Sequence, residues 1–327
     1  MTTTIKSLVS VIILTYNSSK FIEKCVYCVD KQDYENFEII IVDNNSTDNT
    51  RDILVNIKTN NLNCKIILNG KNIGYNMGNQ VGIENSNGEF IAFVNPDSFL
   101  EQSWISNIMK AFKKNKKNMI VSGVLQNSEE NIQSMGGQMD IFGAVKQREI
   151  NSEVYFYATG AAVILKKELL EKIKLDPNLF LYYDDVDLSW QTKLQGYQIG
   201  FCNDAKAVHM EGHSMSGLTE KKFYYILKNR LYIILKNFSF KSIIKKILPI
   251  IILIFLDSIF YSIKFKSIRY FISMIFGIGW NLINIDKIMS EREIIQKSRL
   301  ISDKQLEQDI LNYSIEYSEF IKKCSNK

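Results

Sequence analysis

Proline is almost absent from these 327 residues: only Pro96, Pro177 and Pro249 occur, and no repeat or low-complexity linker divides the chain. A string of small modules is thereby excluded. Histidine is rarer still, with His209 and His213 the only two, so any imidazole chemistry is confined to one short segment. The five cysteines are odd in number and scattered, which makes no disulfide framework and points to a reducing compartment. Cys25 and Cys28 form a C-x-x-C, but it falls inside a predicted helix and lacks a partner pair, which argues against metal or redox work there. The N-terminal apolar run Leu8–Leu14 is too short and too poorly flanked for a signal peptide and reads as a buried strand. The first part of the chain is therefore expected to stay in the cytoplasm.

Two phosphate-binding devices are also missing. The turn after the first predicted strand reads Thr15-Tyr16-Asn17-Ser18-Ser19, without the glycines that let a backbone approach a pyrophosphate, and no G-x-x-x-x-G-K-[ST] loop occurs. Dehydrogenase and P-loop readings are weak on that account. A diphosphate would need another counter-charge, and a divalent cation on hard oxygen ligands supplies it.

What is present is a chain 46% hydrophobic, long enough for one large domain and an appendage. The formal charge of +5 is uneven: residues 221–269 hold eleven Lys/Arg against the single acid Asp257, so the rest is net acidic. Over the first hundred residues β-branched runs alternate with helical patterns: Val9–Leu14 then Phe21–Val29, Phe37–Val42 then Thr50–Ile57, Lys65–Leu68 then Met77–Asn85, and Glu89–Val94. This rhythm predicts an α/β fold, a Rossmann-like, mostly parallel sheet flanked by helices, with a hydrophobic helical extension at the C-terminal side. The expected division is residues 1–237 as one domain and 238–327 as a hydrophobic, basic helical region with a charged tail. A hairpin over Asn131–Glu149, a strand at Ala161–Leu165 and a helix from about Asp185 to Leu194 complete the expectation.

Ligands of parallel sheets bind beyond the carboxyl ends of the strands, so the residues after each run carry the information. Asp97 follows the apolar strand Phe90–Val94 and is turned out by Pro96; it reads as a ligand-facing carboxylate or as a helix cap ahead of Glu101–Phe112. Asp184, Asp185 and Asp187 stand within four residues at a helix start, just after aromatic residues. Crowding raises at least one of their pKa values while a helix N-terminus favours the remaining anion, which suits a general base or a metal site; plain helix capping is the alternative. Gly212 between the histidines disfavours a helical zinc face, leaving His209 as a single metal or phosphate ligand or as a structural histidine.

Six segments in register resemble glycosyltransferase family 2, the inverting enzymes of the A-type glycosyltransferase fold, over roughly Leu8 to Asn237. They are Val9–Asn17, Ile41–Asp48, Asn72-Ile73-Gly74-Tyr75 through Ile83, Asn95-Pro96-Asp97, Asp184–Trp190 and His209-x-x-Gly212-x-Ser214, the last similar to rhamnosyltransferase-like members. The resemblance implies a nucleotide-sugar donor held by Thr15, Tyr16, Asn17, Asp43, Asn72, Gly74 and Asn95, with Asp43 accepting a hydrogen bond from base or ribose. It implies Mg²⁺ or Mn²⁺ on Asp97 with help from His209, Asp185 as the base that deprotonates the acceptor, and Arg230 as a diphosphate contact. dTDP-rhamnose is the first donor it suggests, and UDP-hexoses or UDP-N-acetylhexosamines follow. Gln80, Asp184 and Gln191 depart from the family's usual Asn, Glu and Arg; losing the Arg removes a fixed cation near the base.

A processive polysaccharide synthase would carry a Q-x-x-R-W motif and several spanning helices, and this chain has no such motif. A silent nucleotide-sugar-binding scaffold would have lost its acids, whereas Asp97 and Asp185 are both present. No nucleic-acid partner is expected, because the basic residues are interleaved with Ile/Leu/Phe runs. Ile247–Leu256 is too short to cross ~30 Å of hydrocarbon before Asp257 interrupts it, and Ile268–Ile285 contains Arg269, Asn281 and Asn284. Interfacial helices at the anionic cytoplasmic face of a membrane, peripheral or monotopic, fit better than spans and suit a saccharide or lipid-linked acceptor. A homodimer interface is the other use of such a surface.

Overall fold

A computed structural model of the chain describes residues 6–61, 63–148, 154–210 and 218–318. In chain order the elements are β1 (Val9–Thr15), α1 (Ile22–Asp30), β2 (Phe37–Asp43), α2 (Thr50–Asn56), β3 (Cys64–Leu68), α3 (Tyr75–Glu84), β4 (Phe90–Val94), β5 (Ser98–Leu100), α4 (Trp104–Lys114), β6 (Asn118–Gln126) and β7 (Ile132–Ser134). Then come β8 (Gly137–Met139), β9 (Val145–Gln147), β10 (Ala162–Lys166), α5 (Asp184–Leu194), β11 (Gln198–His209), α6 (Glu220–Asn237), α7 (Phe240–Lys264), α8 (Arg269–Ile283) and α9 (Ile285–Ser298). They form two compact units, one drawn from Met1–Gly136, Ala158–Leu188 and Tyr197–Ser214, the other from Gly137–Tyr157, Ser189–Gly196 and Met215–Lys327.

The first unit is built on one sheet of order β3-β2-β1-β4-β10-β6-β11-β5, with β7 beside β6. Every residue of β1 and β2 is buried, as the unbroken Val/Ile runs of a doubly covered parallel strand require. α3 lies close on β1: a Cβ at Gly78 would meet the Leu14 methyl at 2.4 Å, so any larger residue there would force the Leu14 side chain to move. The α/β expectation holds, but the parallel character is confined to β1–β4 and the β6–β11 pair. β10 runs antiparallel between β4 and β6 because the chain enters it at the carboxyl end of β4, where Asn95 N–H donates to Ala161 O (2.9 Å) and Ala162 faces Val94. The hairpin expected over 131–149 is only partly formed: β8 and β9 pair with each other, whereas β7 joins β6.

The second unit holds the helices α6–α9, and it moves the expected boundary at residue 237. The last carbonyls of α6 are covered from α9: Arg292 donates to Leu235 O (2.7 Å) and Phe238 O (2.5 Å), and Gln296 to Lys236 O (3.1 Å) and Asn237 O (2.9 Å). Helix C-terminal carbonyls without intrahelical partners need such donors. α6 therefore belongs with the helices that follow it. Trp190, from the acid-rich block, packs edge-on against Phe156 and Phe238 within this unit. Among the described residues no helix is long and apolar enough to cross a membrane.

Candidate functional site

The ends of β1 and β2 are knotted together by asparagines. Asn44 donates from its side chain to Asn72 Oδ1 (2.9 Å) and Gly74 O (3.1 Å), and its Oδ1 accepts from Asn69 and from Ile73 N–H. Asn17 and Asn45 sit at φ 52° and 68°, the left-handed region that asparagine tolerates better than most side chains. Asn17 Oδ1 takes the N–H of Thr47 (2.8 Å), tying the first turn to the second. Tyr16 projects from this knot with 45% of its surface exposed, while the Thr15 hydroxyl is buried without a hydrogen-bond partner. Asp43 is fully buried and accepts from Arg51 Nε (2.6 Å) and Ser46 N–H.

Gly74 positions the next layer. At φ 86° its added Cβ would lie 2.7 Å from the Phe180 ring, so glycine alone allows Tyr75 N–H to reach Phe180 O (2.9 Å). This contact holds α3 to the segment that leads into α5. In that segment Tyr182 and Tyr183 are both at φ 66°, an uncommon conformation for bulky side chains that marks a local constraint. The constrained turn starts α5 at Asp184 and aims Asp185 back at the chain: Asp185 Oδ2 accepts from Gly160 N–H (3.1 Å) and Oδ1 from Val186 N–H (2.8 Å). Tyr75 Oη donates to Gly160 O (3.0 Å), so the phenol, Gly160 and both acids converge.

Burial, followed by repulsion from Asp185, pushes the Asp184 carboxyl far above the ordinary carboxylate range. Burial also pushes Asp185 up, to about 6, against the pull of its backbone donors. Tyr75 is raised by burial and then by Asp184, Asp185 and Asp97, which surround it with negative charge and keep it a neutral donor. A carboxyl whose folded pKa is raised takes up protons on folding. Stability is thus lost as pH rises from the ordinary carboxylate value through the raised one. Asp184→Asn should remove that loss, stabilising the protein by roughly 1 kcal/mol or more at pH 7.5 and by little at pH 4, at about 1.4 kcal/mol per pKa unit. Urea unfolding at both pH values checks this, and an equal change at both would show that Asp184 ionises without penalty.

The short strand β5, which was not foreseen, brings Asp97 to His209. Ser98 is in register with His209 on β11, and Met210 N–H donates to Asp97 O (3.0 Å). His209 Nε2 then stands 3.5 Å from Asp97 Oδ1, with both side chains mostly buried. On its other side His209 Nδ1 meets Gln133 Oε1 at 3.2 Å, an outer contact that orients the ring; with the proton on Nδ1 alone, the Nε2 lone pair would face the carboxylate. A lone pair and an anion facing each other at that separation fit a cation between them. Among the described residues no cluster of three or more His, Cys, Asp or Glu side chains gathers as a metal site. The Asp97 carboxylate plus diphosphate and water oxygens matches the way Mg²⁺ is held beside nucleotides, and a histidine nitrogen in the set suits a transition ion such as Mn²⁺ better. The helix-cap alternative for Asp97 fails on position, since Ser103 occupies the cap of α4.

Arg230 is not free to meet a diphosphate. It is 2% exposed in the second unit, bidentate to Glu316, and its Nε donates to Phe142 O (3.1 Å), so it acts as an internal tie. His213, Gly212 and Ser214 lie outside the described residues. Asn72 braces the knot through its oxygen, which also accepts from Gly74 N–H (3.0 Å). Sequence reasoning missed Gln133, Gly160 and Arg51. For Gly160 a signal existed, a glycine placed just before a buried strand; for Gln133, in a surface-like polar stretch, there was none.

The sequence model of glycosyl transferase family 2 matches residues 10–173. Glycosyltransferase AglE of Haloferax volcanii is 26% identical over 203 residues, covering 62% of this chain and 66% of that protein. The GalNAc(5)-diNAcBac-PP-undecaprenol beta-1,3-glucosyltransferase of Campylobacter jejuni is 25% identical over 175 residues, 52% and 55% of the two chains. Among solved structures, GalNAc-T7 with UDP, GalNAc and Mn²⁺ superimposes with a TM-score of 0.60 at 15% identity, covering 72% of this chain and 49% of the other, a likeness of fold. The chain spans less than two thirds of the length of each of these proteins.

Proposed function

The chain belongs to glycosyl transferase family 2, and from that membership we propose that it moves a sugar, with inversion, from a nucleoside diphosphate donor to a hydroxyl of a saccharide or polyprenyl-linked acceptor. The observation that carries this reading is the convergence at Gly160, whose carbonyl accepts from the Tyr75 phenol (3.0 Å) while its N–H holds Asp185 (3.1 Å), with Asp97 close enough to add to the charge that the phenol feels. Asp185 takes the proton of the acceptor hydroxyl as its oxygen bonds to the anomeric carbon, the bond to the diphosphate breaks, and the electron pair leaves with the nucleotide. Gly160 and Val186 N–H hold the carboxylate in place during this step.

Asp97 and His209 would hold Mg²⁺ or Mn²⁺, which when bound neutralises the charge developing on the diphosphate. The exposed ring of Tyr16 offers a face to the nucleobase, while Asp43, buried against Arg51 and Ser46 N–H, would act on base or ribose through those partners. UDP in the GalNAc-T7 complex and the undecaprenol-linked substrate named for the C. jejuni relative support a UDP-sugar and a polyprenyl-linked acceptor. dTDP-rhamnose rests on His209-x-x-Gly212-x-Ser214 alone. Purified full chain should be offered a panel of nucleotide sugars with Mn²⁺, and release of nucleoside diphosphate measured. UDP from a UDP-sugar is the expected result; dTDP from dTDP-rhamnose alone would overturn the UDP assignment, and no release from any donor would overturn the proposal.

A further inference from the structure

α7 and α8 present apolar side chains to solvent along their lengths. Leu248, Leu256 and Ile263 of α7 are 54–73% exposed, and Phe276, Leu282 and Ile283 of α8 are 65–86% exposed. No charged residue lies on α8 between Arg269 and Asp286, and α7 has none from Ile247 to Ile263 except Asp257. Asp257 does not sit on this face as a free anion: it is partly buried and hydrogen-bonded to Glu316, the acid that pairs with Arg230. The exposed charges at the margins are mostly cationic, with Lys241 and Lys245 near the start of α7 and Lys264, Lys266 and Arg269 at the α7–α8 turn, against Asp286 just past the end of α8. Phe265 and Tyr261 share that turn, and the Lys264 ammonium stands 5.3 Å from the Phe265 ring centre. Aromatic rings with lysines beside an apolar surface are the composition of a membrane–water interface.

We propose that α7 and α8 lie in the plane of an anionic phospholipid leaflet, with the apolar face among acyl chains and the lysine-rich turn among headgroups. Charge favours anionic lipid over a second copy of the chain as the occupant. The exposed cations Lys241, Lys245, Lys264, Lys266 and Arg269 outnumber Asp286, the acid exposed just past α8, so a surface paired with itself stays net positive whereas lipid phosphates neutralise it. Anionic lipid satisfies both halves of the surface. Crossing is not part of the proposal, since neither helix is long and apolar enough.

Full chain should co-sediment with vesicles of phosphatidylcholine and phosphatidylglycerol, and binding to phosphatidylcholine alone should be much weaker. Lys264→Gln, Lys266→Gln and Arg269→Gln together should weaken binding to the anionic vesicles by roughly 100-fold, at about fivefold per cation. Phe276→Asp with Ile283→Asp, both exposed and so tolerated by the fold, should abolish binding to either vesicle, with an unchanged melting curve as the control. Full chain that stays in the supernatant with anionic vesicles, or that is a discrete dimer split by Phe276→Asp with no vesicle binding, would overturn the proposal.

Discussion

Asp185→Asn should slow sugar transfer by roughly 10²–10⁴-fold, the range that a positioned general base supplies, and should leave donor affinity nearly unchanged. Asparagine keeps the shape but has a single oxygen, so it can accept from Val186 N–H or from Gly160 N–H and not from both, and it cannot take a proton. The effect should therefore appear in kcat. The same carboxyl sets the acid side of the rate profile. Because burial pushes it up to about 6, activity should fall as pH drops through that region, well above where an ordinary aspartate would act. Stopped assays from pH 5 to 8 on wild type and variant test both statements, since the variant's small residual rate should lose this limb. Near-normal turnover for Asp185→Asn, with Asp187→Asn dead, would reassign the base.

Removing the cation seat should have an effect as large. Asp97→Ala deletes the carboxylate opposite His209 Nε2, and EDTA would remove a cation held there; each should abolish metal-dependent donor binding and turnover. The physical reason is repulsion. A diphosphate placed near Asp97 and Asp185 meets like charge unless a divalent ion intervenes. Titration calorimetry of UDP with and without Mn²⁺ reads the binding directly. Full activity in EDTA would leave Asn95-Pro96-Asp97 as a turn that merely starts β5.

Both predictions use residues that were visible in the sequence, because strand ends in a parallel sheet announce themselves through the run before them. Asp97 and Asp185 stand where the Phe90–Val94 run and the aromatic Phe180–Tyr183 segment placed them. What was not legible is long-range. β5 is three residues long and exists only because β11 offers it an edge, so nothing local indicated that Asp97 and His209 would be neighbours. Gln133 reaches His209 across 76 residues of sequence. Arg230 misled for a related reason: a conspicuous cation at the end of Lys228-Asn229-Arg230 reads as a phosphate contact until Glu316 is seen to hold it. The boundary at 237 was placed where hydrophobicity changes, whereas the structure is organised by which residues satisfy the end of α6.

The Arg230–Glu316 tie also bears on how the chain is made. A ribosome delivers Arg230 well before its partner, which follows 86 residues later. During that interval the guanidinium cannot be buried without an uncompensated charge, a state that costs about 3–5 kcal/mol. α6 must wait, hydrated, until α7, α8 and α9 have been synthesised. The sheet of the first unit has no such dependence, and domains completed early in synthesis can fold while the rest is still emerging. The apolar helices would then be unfolded on a nascent chain when they first become available to a bilayer.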